Sequence, residues 1–304
     1  MANIVIAETI ADVGVKTLQA AGHSIDDLSN QPREALLRAL REAEALIVRS
    51  QVRADAALIA AGPKLRIIGR AGVGIDNIDV GAAERAGIKV VNAPDGNTVA
   101  AAEHTMALLL ALARHVPDGD RSVREGTWAR SSLKGFELRG RYIGIIGLGR
   151  IGRAVAKRAA AFDMKVLGND PRVSPQDAAT VGVRLLPLDE LLRQSDVVTL
   201  HTPALGKTPL IGERELAVMK RSAVLINVAR GSLVDESALA SALKSGHIAG
   251  AAVDVFSLEP PVDSPLLTAP NTVLTPHLGA QTSDAQVAVA QEVAERICAF
   301  FRSA

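Results

Sequence analysis

The sequence has one cysteine in 304 residues, Cys298. An intrachain disulfide and a cysteine-rich metal site are both excluded. No grouping of His, Cys and Asp has the spacing of a ligand set, so no metal is expected. An excess of charge of one sign is also lacking: 34 Lys and Arg face 33 Asp and Glu, a formal net charge of +1. That balance leaves no footprint for nucleic acid or an acidic membrane surface. Long apolar runs are missing too. The longest, MALLLALA at 106–113, is far too short to span a bilayer. The start, MANIVIAETI, has no basic region ahead of a long apolar one, so no signal peptide is read and a cytoplasmic location is expected.

What the chain has is alternation. Hydrophobic residues make up 48% and charged residues 22%, a globular composition. Short Val/Ile-rich runs predict strands at 3–8, 45–50, 65–70 and 88–93, then at 141–147, 164–170, 196–202, 223–229, 249–256 and 271–276. Ala/Leu-rich stretches at helical spacing lie between them. Continuous apolar strands separated by helices indicate parallel sheets covered on both faces, and crossover handedness favours doubly wound α/β sheets. So many strands predict two α/β units. A long helix over 98–116, opened by a Thr98 cap, follows the first unit. A polar, Gly-rich excursion over 117–140 carries the single Trp, Trp128, and the second unit starts at 141. The last helix, about 282–302, is a candidate for returning to the first unit.

The segment RYIGIIGLGRIGRAVAKRAAAF contains Gly147-x-Gly149-x-x-Gly152 between an apolar strand and a helix-forming stretch. Gly147 permits the tight turn, Gly149 lets the backbone approach a pyrophosphate, and Gly152 lets the helix pack closely on the strand. The pyrophosphate is expected at the helix N-terminus, where free N–H groups and the dipole favour anions. Asp170, 18 residues beyond Gly152, ends the next strand. A carboxylate there accepts hydrogen bonds from ribose hydroxyls and repels a 2′-phosphate, which predicts NAD over NADP. A second stretch, GRAGVGID at 69–76, has Gly72-x-Gly74, but Asn77 stands where the third glycine belongs. It fails as a dinucleotide site and keeps the capacity to offer backbone N–H groups to a small anion.

Hydride transfer to a carbonyl needs a cation for the substrate carboxylate, a proton donor and a group that tunes the donor. Doubly wound folds place such groups at the carboxyl ends of their strands. Arg230 follows the strand 223–229, Glu259 lies past 249–256, and His277 follows 271–276. Singly, each has an ordinary alternative as a solvated loop arginine, a turn carboxylate or a structural histidine. Jointly, at three successive strand ends, they form the favoured site. In VLTPHLGAQT, Val273–Thr275 read as a buried strand and Gly279 as the residue that turns the chain back. Of the other histidines, His104 reads as packed on the long helix, and His201 lies near the expected cofactor crevice.

GRAGVGIDNID, GLGRIG, NVARGSLVDE, AAVDVFSLEPP and TPHLGA, in this order, resemble the D-isomer-specific 2-hydroxyacid dehydrogenase family, from about residue 45 to about 286. The resemblance implies a Rossmann NAD-binding domain, 98–282, inserted in a discontinuous flavodoxin-like substrate domain, 1–97 and 283–304. It implies a homodimer built largely on the NAD domains, with the long helix and the Trp128 excursion at that interface. It assigns catalysis to Arg230, Glu259 and His277. It adds Arg150, Ile151, Thr202, Val228, Ala229, Asp254, Gly279 and Ala280 to Gly147, Gly149, Gly152 and Asp170 as cofactor contacts. Arg49, Val73, Gly74 and Asn97 are implied on the substrate side, and Arg70 is a further candidate there. The expected partner is a small 2-hydroxy or 2-keto acid bearing a phosphate, with Arg49 and then Arg70 as its readers. Members acting on smaller acids, and NAD-sensing corepressors built on this fold, are the alternatives. A serine-binding C-terminal domain carried by many relatives is not expected here.

Overall fold

The structure, a computed structural model, describes residues 1–204, 206 and 208–303. The chain divides into two compact units, one of Met1–Thr98 with Ala280–Ala304 and one of Val99–Gly279.

The first unit holds strands β1 (Asn3–Ile6), β2 (Ser24–Asp27), β3 (Ala45–Val48), β4 (Ile67–Arg70) and β5 (Lys89–Asn92), in the order β2-β1-β3-β4-β5. Every pairing is parallel, and this order is that of flavodoxin-like sheets. Alternate residues feed opposite layers. Ile4, Ile6, Ala45, Ile47 and Ile67 pack with Val289, Val293 and Ile297 of the terminal helix Ser283–Ser303. Val5, Leu46, Val48 and Ile68 pack on the other face with Leu36, Leu40, Leu58 and Ile59. Two covered faces are why the interior strands read as unbroken apolar runs. The terminal helix does belong to this unit.

The second unit contains β6 (Tyr142–Ile146), β7 (Lys165–Asn169), β8 (Arg184–Leu185), β9 (Val197–Leu200), β10 (Val224–Asn227), β11 (Gly250–Val253) and β12 (Thr272–Leu274). Their order is β12-β11-β10-β9-β6-β7-β8, again all parallel. This is the dinucleotide-binding arrangement with one strand added, and its order reverses between β6 and β9. Ile143, Ile145, Val197 and Ile226 pack against Met106, Leu109, Val155 and Ala159. Val198, Leu200, Leu225 and Val253 face Leu191, Leu216, Leu239 and Leu243 on the opposite side.

Several local expectations change. Two edge strands, β2 and β8, escaped the sequence pattern. The long helix spans Thr98–Ala113 and stops short of 116. His115 turns left-handed at φ 51°, and a separate helix, Val116–Arg124, begins with proline in its first turn. Part of the polar excursion is therefore helical, helped by an Asp120–Arg124 ion pair one turn apart. Thr98 is itself the first helical residue and does not cap: its Oγ1 is buried without a hydrogen-bond partner among the described residues. No helix among the described residues is long and apolar enough to cross a membrane, and no cluster of His, Cys, Asp or Glu among them is arranged to hold a metal.

Candidate active site

The glycine turn follows β6 directly. Gly147 has φ 94°, and a β-carbon there would lie 2.5 Å from the carbonyl oxygen of His201. At Gly152 a β-carbon would lie 2.0 Å from the oxygen of Gly147. Gly149 is different. Its β-carbon would meet no atom of the described residues beyond its own chain neighbours within 4 Å, so packing there imposes no steric need for glycine. The helix Arg150–Ala161 starts at Gly149 with no side-chain cap, leaving its first N–H groups for an outside acceptor. Asp170 lies against this turn. Its carboxylate accepts from the N–H of Leu148 at 2.9 Å and of Arg172 at 2.9 Å, which leaves acceptor capacity for ribose hydroxyls. Exposed Arg150 and half-buried Ile151 and Thr202 flank the same turn. These residues fit a dinucleotide: space beside Gly149, uncapped N–H donors and an acidic group one strand over.

Parallel register brings β10, β11 and β12 side by side, so the segments after them share one sheet edge. Asn227, 1% exposed, fixes the first of these turns. Its Oδ1 accepts from the N–H of Ala229 at 3.1 Å, and its Nδ2 donates to the carbonyl of Arg230 at 2.9 Å. Half-buried Val228, Ala229 and Arg230 are presented there. Gly231 lies against the Phe256–Ser257 peptide, where a β-carbon would come within 1.9 Å of the Phe256 carbonyl carbon. The Arg230 turn is thereby drawn to the segment that carries Glu259.

His277 Nδ1 lies 2.8 Å from Glu259 Oε2. The other carboxylate oxygen, Oε1, accepts from the N–H of Phe256 at 3.1 Å. Burial opposes ionisation of Glu259, but the hydrogen bonds from His277 and Phe256 prevail and hold its pKa below the usual value. An ionised carboxylate only accepts, so His277 Nδ1 carries the hydrogen, and in the neutral imidazole Nε2 is then the acceptor. His277 itself has φ 55°. This corrects the expectation for Gly279, which has no positive φ: the left-handed turn is made at His277. Gly279 is needed for close approach, because a β-carbon there would lie 3.1 Å from Val228 Cγ1 and 3.3 Å from Asp254 Oδ2. β12 is also half-buried at the sheet edge and not the fully buried strand expected.

Asp254 is 0% exposed. Its carboxylate accepts from the N–H groups of Leu278 at 2.7 Å and Gly279 at 2.9 Å, and from Thr275 Oγ1 at 2.6 Å. His104 Nε2 lies 3.0 Å from the same group. A residue assigned from sequence to the cofactor is thus engaged with the chain. Sequence reading missed His104 and Asn227 as parts of this edge. A lone histidine in an apolar helix, or a lone amide at a buried strand end, needs a polar partner, and that need was the available signal.

The first unit presents its own strand ends. Glu8, after β1, accepts from the N–H groups of Arg49 at 2.8 Å, Gln51 at 2.8 Å and Val52 at 2.7 Å. Asn77 Nδ2 donates to the carbonyls of Arg49 at 2.9 Å and Val52 at 2.7 Å. The residue that breaks the second glycine pattern is therefore a brace for the turn bearing Arg49. Arg70 ends β4, Val73 and Gly74 follow it, and the Val73 carbonyl accepts from Asn92 Nδ2 at 2.6 Å. Asn97 Oδ1 is buried with no hydrogen-bond partner among the described residues. Ala280 is half-buried and starts the return segment of this unit.

A dinucleotide-type turn on a doubly wound sheet, with a histidine–glutamate pair at the neighbouring strand ends, defines a nucleotide-binding α/β class. Comparison with known proteins narrows it: residues 106–279 match the model of the D-isomer specific 2-hydroxyacid dehydrogenase NAD binding domain, and the chain belongs to that family. It is 48% identical over 296 residues to the D-3-phosphoglycerate dehydrogenase of Archaeoglobus fulgidus, covering 97% of this chain and 56% of that protein. The chain thus spans about half the length of the curated relatives it matches. Among solved structures, the TT0316 protein of Thermus thermophilus superposes with a TM-score of 0.88 at 36% identity, covering 99% of this chain and 97% of that one. An NAD-dependent formate dehydrogenase from Staphylococcus aureus, in complex with NAD, gives 0.87 at 32% identity, covering 99% and 96%.

Proposed function

We propose that this chain interconverts a D-2-hydroxy acid and its 2-keto acid with NAD, and that the substrate pair is 3-phosphoglycerate and 3-phosphohydroxypyruvate, the first step of serine biosynthesis. The observation that carries the reaction class is the His277–Glu259 pair at the edge of a dinucleotide sheet. The names of the relatives at 48% and 47% identity support the substrate.

Gly147–Gly152 and Asp170 would hold the cofactor, which would supply the hydride acceptor. Arg230 binds the substrate carboxylate and polarises C2–O. His277 Nε2 takes the hydroxyl proton as the hydride leaves C2 and the carbonyl forms; in reduction the same nitrogen returns it. Glu259 holds the imidazole in the required tautomer. Arg49, Arg70, Val73, Gly74 and Asn97 belong to the substrate side, with Arg49 reading the phosphate. The braced Arg49 turn and the orphaned Asn97 Oδ1 support that assignment. Exposed Val116, Val123 and Trp128 support a homodimer through the nucleotide unit. The reading carries a cytoplasmic location with it.

One assay tests it: NADH oxidation with 3-phosphohydroxypyruvate, hydroxypyruvate, glyoxylate and pyruvate side by side. The phosphorylated acid should give the highest kcat/KM. Preference for an unphosphorylated acid assigns the chain to another 2-hydroxyacid dehydrogenase. NADH binding without turnover of any acid removes the catalytic reading.

A further inference from the structure

We propose that His104 is a positioning residue for His277, acting through the buried carboxylate of Asp254. The inference rests on the reading of His277 as the proton carrier. His277 is held at φ 55°, a conformation unfavourable for a residue with a β-carbon. Such a backbone persists only where its surroundings over-determine it. Here the bonds converge on one residue. The Asp254 carbonyl accepts from the N–H of His277 at 2.9 Å. The Asp254 carboxylate takes the N–H groups of Leu278 and Gly279 and the hydroxyl of Thr275. Residues on both sides of the imidazole therefore hang on a single side chain.

That side chain is costly to bury. A carboxylate removed from water needs full hydrogen bonding or a cationic partner. Among the described residues, His104 is the one group outside 275–279 that bonds to it, at 3.0 Å, and His104 is itself largely buried. Burial opposes ionisation of Asp254, but the hydrogen bonds from His104, Thr275 and Leu278 hold its pKa below the usual carboxylate value. An ionised Asp254 accepts only, so His104 Nε2 carries its hydrogen and points it at Oδ1. The Thr275 hydroxyl oxygen, 3.2 Å from the same nitrogen, closes the triangle. His104 sits on the helix Thr98–Ala113, and its ring is held by its contacts to Asp254 Oδ1 and Thr275 Oγ1. The chain of contact runs from a rigid helix through one carboxylate to the segment that aims the imidazole. Loss of the donor frees that carboxylate to turn toward water and slackens the segment.

The test uses the full chain with His104→Ala and His104→Gln. In the Ala variant kcat should fall by about tenfold or more, as expected when a reacting group is misplaced, with KM for the keto acid and NADH affinity within about twofold. Amide hydrogen exchange at Leu278 and Gly279 should accelerate by about tenfold or more, while amides of the central strands stay protected. The imidazole ¹⁵N signals of His277 should move from a single Nδ1–H tautomer to a mixture. The Gln variant, whose amide can donate to Asp254, should recover most of all three. His104→Asn, too short to reach, serves in the same way if the Ala variant does not fold. Unchanged kcat, or unchanged exchange at Leu278 and Gly279, overturns the proposal. If the wild-type chain turns over no 2-keto acid, the functional reading fails separately, and the exchange and tautomer measurements still decide the clamp.

Discussion

His277 Nδ1 and Glu259 Oε2 stand 2.8 Å apart although eighteen positions separate them in the chain. Two adjacent strand ends make that meeting, and in the neutral imidazole it leaves Nε2 as the acceptor. His277→Asn should abolish turnover, a loss of at least about 10²-fold. Asparagine tolerates the left-handed backbone, so the turn is preserved. NADH affinity, followed by fluorescence titration, should stay within about twofold. A large loss of binding would show that His277 serves the fold.

Gly152 and Gly149 should separate stability from cofactor binding. Gly152→Ala places a methyl 2.0 Å from a backbone oxygen and should destabilise the chain by about 1–3 kcal/mol or more. Gly149→Ala meets no atom of the described residues beyond its own chain neighbours. Its thermal midpoint should hardly move, yet NADH affinity should fall by about tenfold, because the methyl occupies space the cofactor needs. Equal NADH affinity in Gly149→Ala and wild type would count against a pyrophosphate at this turn.

Burial pushes the His201 imidazole from its ordinary 6.5 down to about 3. The folded chain keeps it neutral, bonded to Thr199 Oγ1 at 3.0 Å. The unfolded chain takes up a proton near 6.5. Its contribution to stability is therefore complete above 6.5 and is lost progressively as the pH falls toward 3. The slope from one such proton is at most about 1.4 kcal/mol per pH unit. Urea unfolding between pH 7 and 4 should show this slope, and His201→Gln should flatten it.

Glu8 tests the substrate side. Glu8→Ala leaves the N–H groups of Arg49, Gln51 and Val52 without their acceptor, at a cost of about 2 kcal/mol. KM for the phosphorylated acid should rise by about tenfold with NADH affinity unchanged. An unaltered KM would remove Arg49 from the substrate site.

The interior of both sheets was legible because strands covered on two faces are written as unbroken Val, Ile, Leu and Ala. The edges were not. β2 reads SIDD and β8 has two residues, and neither needs an apolar run because one side of each faces solvent. The helix Val116–Arg124 was hidden in a polar stretch: Ser122 is its one buried residue, so no apolar run marks it. That Arg230, Glu259 and His277 follow three adjacent strands was legible, since residue type and position suffice for that. Their supports were not. Whether Gly279 or His277 carries the positive φ, and which groups hold the Asp254 carboxylate, depends on contacts among residues far apart in sequence. The same holds for Asn77, which looked like a defect in a glycine pattern and is a brace for its neighbour.

The terminal helix has a consequence for how the molecule is made. It supplies Val289, Val293 and Ile297 to one face of the first sheet, yet it leaves the ribosome after every residue of Val99–Gly279. The second unit is one uninterrupted stretch and can finish folding while that face of the first still lacks its cover. During translation the first unit therefore begins early and is completed last, with Ile4, Ile6, Ile47 and Ile67 waiting for partners synthesised nearly a whole chain later. Chaperones that bind exposed apolar surface should engage nascent chains through this sheet and release them once the last helix emerges.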